Sequence, residues 1–286
     1  MPFFSIIIPT YNRADMILSA IDSVLKQEFE DWELIIVDDG STDHTKLTVS
    51  GIVDNRVKYF WKENGERGAA RNYGVKHSKG DYVFFLDSDD LLYPKHLHHA
   101  WIQLKRLKQP EFFHSRYEEV FPDKTIQVEK LNQQKIWPTI QCQNKFACQF
   151  FLRQDIANDI PFSENRQLAI GEDWLVILKI GLKHTLNISN EVHAAIVQHG
   201  ERSIQIISAN SILTSRNIIL AELRNESSIL KRRIYLELTS LAALSASLHK
   251  ERLMVIKLLW QTNLKNPFYL ISRRRTFAIL KHFIGG

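Results

Sequence analysis

The chain has 286 residues, 44% apolar and 24% charged, with a formal net charge of +5. That length allows one large domain, or one with an appendage, and the composition is that of a soluble globular protein. No run approaches the roughly 18 apolar residues of a membrane span, and an uneven charge argues against a nucleic-acid partner. Residues 201–286 hold 14 Lys/Arg against 5 Asp/Glu, whereas the first 200 hold 23 against 27; a phosphate-tracking face would be basic.

Met1 to Pro9 lacks a basic n-region and a cleavage site, so it reads as a first strand rather than a signal peptide. Phe3 to Ile8 is a continuous apolar run, suited to a strand buried on both faces. Asn12 or Ala14 opens a helix with Ile17, Ile21, Val24 and Leu25 on one face. Trp32 to Val37 is a second strand, Asp38 to Ser41 turns the chain, and Ser41 or Asp43 caps a short helix toward Val53. A third strand spans Val57 to Trp61, a helix Gly68 to Lys76, and a fourth strand Asp81 to Leu86. Pro94 starts a helix reaching about Leu107. This βαβαβαβ order predicts a mostly parallel twisted sheet with helices on both faces, an α/β fold that binds ligands beyond the carboxyl ends of its strands.

Further on, strands are expected at Phe112 to Val120, Thr125 to Val128, Thr185 to Ile188 and Val192 to Val197, with a helix at 171–181. After about Ser208 the pattern is nearly all helical. Cys142 and Cys148 are too few for a disulfide framework or a four-ligand zinc site and are expected to be buried thiols in a reducing compartment. His96, His98 and His99 read as a solvated, partly basic helix face.

Chemistry-bearing residues gather at the predicted strand ends. After the first strand stand Pro9, Thr10, Tyr11 and Arg13, with neither a Walker loop nor a dinucleotide fingerprint. An aromatic face there, with Asp38 after the second strand, would hold a nucleobase by stacking and polar pairing; the plainer reading is a turn beside a satellite core residue. Arg67 and Arg71, four apart, share a helix face among small residues that allow close approach of a ligand or another backbone. Asp87-Ser88-Asp89-Asp90 ends the fourth strand. Clustered carboxylates repel unless something positive sits among them, and such oxygen donors suit a hard divalent cation that also binds phosphates. An ordinary solvated turn is the alternative.

Pro9 to Arg13, Val37 to Asp43, Arg67 to Asn72 and Phe85 to Asp90 resemble the successive motifs of family 2 glycosyltransferases of the GT-A fold. Phe162-Ser163-Glu164, where the family has Phe-Asp-Glu, and Gly171-Glu172-Asp173-Trp174 resemble its acceptor-side motif, and His199 to Ser203 the following His-x-x-x-Ser region. The resemblance covers about residues 3–205. It implies inverting transfer from a nucleotide-sugar donor, taken as a UDP-sugar, to a glycan or lipid-linked acceptor in surface polysaccharide synthesis. Pro9, Thr10, Tyr11, Arg13, Asp38, Arg67, Arg71, Asp87 and Ser88 would hold the nucleotide. Asp89, with His199, would hold Mg²⁺ or Mn²⁺, and Asp173 would be the catalytic base. A catalytically inactive scaffold on the same fold is the rival reading.

Residues 1–207 are expected to form the GT-A domain (1–108 its nucleotide half, 109–207 its acceptor half) and 208–286 a helical extension. In that extension Trp260, Phe268, Tyr269, Phe277 and Phe283 alternate with Lys265, Arg273, Arg274, Arg275 and Lys281. Such interleaving suits peripheral contact with an anionic membrane at the cytoplasmic face; helices packed on the catalytic domain are the alternative.

Overall fold

A computed structural model describes residues 1–168, 170–200, 207–249, 251–266 and 279. The chain divides into two compact units. The first comprises Met1–Trp137, Lys145–Glu164 and Asp173–His199; the second comprises Pro138–Asn144, Asn165–Glu172 and Gly200–Gly286.

The first unit is built on one mixed sheet. Strands β1 (Phe4–Thr10), β2 (Trp32–Asp38), β3 (Val57–Trp61) and β4 (Tyr82–Phe85) are mutually parallel in the order β3-β2-β1-β4. Every residue of β1 and β2 is buried, which is why their sequences run apolar instead of alternating. The charged residues of β2 are Asp38 at its carboxyl end and Glu33, which sits at its amino end. Burial alone would raise its pKa, but Lys58 Nζ (2.6 Å), Ser5 Oγ (2.6 Å) and the Lys79 N–H (2.6 Å) hold the carboxylate below its ordinary range. That network fixes the amino ends of the strands.

Between the parallel strands run α1 (Ile17–Leu25), α2 (Thr45–Ser50) and α3 (Glu66–His77). Helix α1 begins later than the sequence suggests, because Asn12 takes a positive φ of 51° and the chain turns before coiling. Beyond β4 the sheet continues β8 (Phe151–Arg153), β6 (Phe112–Val120), β9 (Leu186–Val197) and β5 (Leu91–Leu92), with β7 (Thr125–Gln127) on β6. Strand β8 is antiparallel to both β4 and β6, and β6 and β9 are parallel. Helices α4 (His96–Arg106), α5 (Ile136–Ile140), α6 (Gln154–Asp159) and α7 (Glu172–Gly181) complete the chain to residue 199.

Three expectations need correction. The separate strands at 185–188 and 192–197 are one strand, β9, whose register slips at Asn190-Glu191 and again at His193. There the Asn190 amide pairs with both backbone groups of Leu131, a local substitute for a neighbouring strand. The histidines of α4 are not a solvated face: His98 is exposed, but His96 and His99 are buried. His96 packs among Phe84 and Phe151, and burial pushes its imidazole down to about 3. Of the two thiols, Cys148 is buried but Cys142 is only half-buried.

The second unit contains helices Ala209–Glu222, Ser228–Leu248 and Arg252–Lys265. Ser208 and Ser227 cap the first two, each accepting a backbone N–H from three residues on. Arg216 reaches from the first of these helices to Thr239 of the second (2.8 Å) and lies 4.4 Å from the ring of Tyr235. No helix among the described residues is long and apolar enough to cross a membrane. Ser203, Phe268, Tyr269, Arg273, Arg274, Arg275, Phe277, Lys281 and Phe283 lie outside the described residues.

Candidate active site

The carboxyl ends of β1, β2 and β3 are stitched into one surface. Asp39 N–H donates to the Thr10 carbonyl (2.8 Å) and Lys62 N–H to the Asp38 carbonyl (2.9 Å). The turn after β1 is then tied to the turn after β2. Asn12 N–H donates to Ser41 Oγ, Thr42 N–H to Asn12 Oδ1, Arg13 N–H to Thr45 Oγ1 and Ala14 N–H to Asp43 Oδ2. Burial would raise the Asp43 carboxyl, but the Thr45 hydroxyl (2.6 Å) and then the Thr45 N–H (2.9 Å) hold it low, while the N-cap position of α2 is His44, without a side-chain cap. The two motifs, far apart in sequence, therefore form one cradle.

Within that cradle Pro9 and Thr10 are buried, and the Thr10 hydroxyl has no hydrogen-bond partner among the described residues. A buried unpaired hydroxyl is costly unless something else pairs with it. Tyr11 stands half exposed at the mouth, with Trp61, the register partner of Asp38, also exposed. Asp38 is fully buried; Ser41 N–H donates to Oδ1 (2.7 Å) and Tyr59 OH to Oδ2 (2.5 Å). Burial, then the bond to Asp38, push the Tyr59 phenol up. Tyr59 was read from sequence only as part of an apolar strand, and its role needed the parallel register.

Helix α3 supplies the positive charge that the acidic turn requires. Arg71, 1% exposed, pairs with Asp87 Oδ1 at 2.8 Å, and its guanidinium lies 5.2 Å from the ring of Phe162. Arg67 lies on the same helix, half-buried. The small residues of α3 admit another backbone: a Cβ on Gly68 would stand 2.2 Å from the Ser163 carbonyl oxygen. Asn72 clamps that segment, accepting the Phe162 N–H (2.9 Å) and donating to the Phe162 carbonyl (3.0 Å) and Glu164 (2.8 Å). Ser163, the departure from the family motif, thus contributes its main chain here.

Asp87, Asp89 and Asp90 each bring a carboxylate oxygen within 4.8 Å of the others. Their environments separate them. Asp90 is buried and accepts the Val197 N–H (3.1 Å) and Gln149 Nε2 (3.2 Å), anchoring the end of β9. Sequence reading passed over this anchoring role. The anchor brings His199 back to the turn, where its Nε2 lies 2.9 Å from Asp89 Oδ2. Carboxylate oxygens with one imidazole fit Mg²⁺ or Mn²⁺. Ser88, between the acids, is buried. Asp173 lies in the first turn of α7 and accepts the Trp174 N–H (2.7 Å), while Glu172 beside it is buried.

The sequence profile of "Glycosyl transferase family 2" matches residues 5–157. An uncharacterized glycosyltransferase of Rickettsia conorii is 35% identical over 188 residues, 64% of this chain and 30% of the relative. The UDP-Glc:alpha-D-GlcNAc-diphosphoundecaprenol beta-1,3-glucosyltransferase WfgD of Escherichia coli is 43% identical over 88 residues, 30% of this chain and 35% of the relative. The chain thus spans only about a third of the length of these curated relatives. Among solved structures, S. aureus TarS 1–349 in complex with UDP-GlcNAc has a TM-score of 0.67 at 20% identity, covering 99% of this chain and 89% of that one. The mannosyltransferase PcManGT of Pyrobaculum calidifontis, in complex with GDP-Man and Mn²⁺, has a TM-score of 0.62 at 16% identity, covering 99% and 86%. The fold is thereby GT-A.

Proposed function

The chain belongs to glycosyl transferase family 2, and we propose that it moves a sugar from a UDP-sugar to a hydroxyl of a lipid-linked or surface glycan, with inversion at the anomeric carbon. The observation that carries this reading is the stitched cradle at the strand ends, with its buried, unpartnered Thr10 hydroxyl beside the Asp87–Asp90 turn. The printed substrates of the Escherichia coli relative and the UDP-GlcNAc of the S. aureus neighbour favour a UDP-sugar and a diphosphoundecaprenol-linked acceptor.

In this reading Tyr11 offers its exposed ring to the base, Thr10 its hydroxyl, and Pro9, Asp38 and Arg13 shape the wall around the nucleoside. Arg67 and Arg71 bring positive charge toward the diphosphate side, and the Arg71 pair offsets the charge of Asp87 beside Asp89. Ser88, beside Asp87, contributes to holding the nucleotide. Mg²⁺ or Mn²⁺, held by Asp89 with His199 and Asp87, would stabilise charge on the departing diphosphate as a Lewis acid. Asp173 takes the proton of the acceptor hydroxyl as its oxygen bonds to the anomeric carbon, opposite the breaking bond to the diphosphate. Residues 1–207 form the catalytic domain, with 1–108 its nucleotide half and 109–207 its acceptor half, and residues 208–286 are a helical extension. Leu253, Ile256, Trp260 and Leu264 are exposed on helix Arg252–Lys265, beside Lys257, which favours peripheral contact at the cytoplasmic face of an anionic membrane.

The test is donor turnover across UDP-, GDP- and dTDP-sugars with Mn²⁺, on the full chain and on Asp89→Asn. A UDP-sugar should be consumed, and Asp89→Asn should lose roughly 10²-fold or more, since several kcal/mol of charge stabilisation is at stake. Undiminished turnover in excess EDTA or in the variant would remove the metal assignment, and no turnover of any donor in the full chain would remove the activity.

A further inference from the structure

A second group of ligating side chains lies away from the aspartate turn. His99, on α4, is buried; Glu191 and His193, two apart on β9, fall at two successive register slips that leave each of them without a partner position on β6. His99 Nδ1 lies 3.1 Å and His193 Nε2 3.3 Å from the same oxygen, Glu191 Oε2. One donor atom of each residue lies within 4.8 Å of the others. His193 is four residues before Val197, whose N–H is held by Asp90; along a strand that is about 13 Å, so this is a separate centre.

We propose that His99, Glu191 and His193 form a transition-metal site, with zinc the fitting ion, which fastens α4 to β9. Two imidazoles and one carboxylate form a ligand set that zinc takes with its fourth position left to water. For bonds of 2.0–2.1 Å, tetrahedral donors stand about 3.3 Å apart, and the two nitrogen–oxygen separations already match that edge. The third edge closes when the two rings fan out from their present stack, with centroids 4.2 Å apart and planes at 26°. Glu191 is 65% exposed, so its carboxylate can follow.

The surroundings hold the His99 ring in place, with Nδ1 toward Glu191. Its other nitrogen, Nε2, lies 3.1 Å from Ser189 Oγ, which also accepts the Glu191 N–H (3.3 Å). That outer contact orients the ring, as partners of ligating histidines commonly do. The backbone is set as well: Tyr93 N–H donates to the His193 carbonyl (2.9 Å). Each of these features stands independently of the transferase reading.

The test uses the full chain without an affinity tag, stripped with a chelator and titrated with Zn²⁺ against a chromophoric zinc indicator. In Asp89→Asn, which disables the aspartate turn, one zinc per chain is expected, with the thermal midpoint raised by zinc. Glu191→Gln, at an exposed position, and His193→Ala should each weaken that binding at least about tenfold, and Ser189→Ala about tenfold through the loss of ring orientation. Circular dichroism of Glu191→Gln should match the parent, which separates loss of a ligand from loss of the fold. No zinc bound by the parent, zinc bound equally by Glu191→Gln and His193→Ala, or zinc lost only in Asp89→Asn would each overturn the site.

Discussion

Gly68→Ala sets two opposing effects against each other at one position. Gly68 lies in the first turns of α3, where alanine should add about 1 kcal/mol of helix stability over glycine. The new Cβ, however, would meet the Ser163 oxygen at 2.2 Å and the Ser163 carbonyl carbon at 3.2 Å. Restoring an ordinary C···O contact requires the Phe162–Glu164 backbone to retreat by about 1 Å. That segment is fixed by three hydrogen bonds to Asn72, each worth roughly 0.5–1.5 kcal/mol, and overpacking adds about 1–3 kcal/mol. Sterics should win, with a net loss of about 2 kcal/mol. For a chain of this length that lowers the thermal midpoint by roughly 4–8 °C. Gly51→Ala is the control, because its Cβ would meet nothing nearer than 3.7 Å and its backbone is unstrained; it should be neutral or slightly stabilising. Combining Gly68→Ala with Asn72→Ala should cost less than the sum of the two, since both disturb the same segment. A Gly68→Ala protein melting at or above the parent temperature would refute the packing argument.

His96 is buried, and its imidazole is held at about 3 by burial and then by the nearby histidines. Its folded value lies below the unfolded one, so its contribution is complete above about pH 6.5 and is lost as pH falls toward 3. His96→Leu should therefore match the parent near pH 7 and flatten the acid side by up to one proton, about 1.4 kcal/mol per pH unit, in denaturation midpoints at pH 7 and 5; equal pH slopes would refute it. Asp173→Asn should reduce transfer by about 10² to 10⁴ while calorimetry with the nucleoside diphosphate stays unchanged, whereas Asp38→Ala should lose that binding; loss of binding in Asp173→Asn would exclude it as the base. Flotation with anionic liposomes should carry the full chain at low salt but not at high salt, and Trp260→Ala with Lys257→Glu should stay behind; a full chain that never floats would remove the membrane contact.

Composition and motif spacing alone pointed to the α/β fold and the run of strand-end motifs, because each is a local property. Two-faced burial writes the apolar run Ile6–Pro9 into β1, and a turn ending a strand writes its own polar residues at Asp38-Asp39 and Asp87-Ser88-Asp89. What failed locally was whatever depended on a distant partner. The three-residue strand Phe151–Arg153 has no period to read, and it is a strand because it fills the slot between β4 and β6. Helical spacing placed His96, His98 and His99 together but could not tell which of them face a sheet. Packing buried two and brought His99 against Glu191 and His193. Arg71 could be read as a cation on a helix, whereas its pairing with Asp87 required α3 to pack on β1, the sheet neighbour of β4. Likewise Gly68 signalled a close approach without saying of what; only the chain crossing at Ser163 decided it. Sequence records what a residue needs from its surroundings, burial, charge or room, while the long-range crossing of the chain decides which neighbour meets that need.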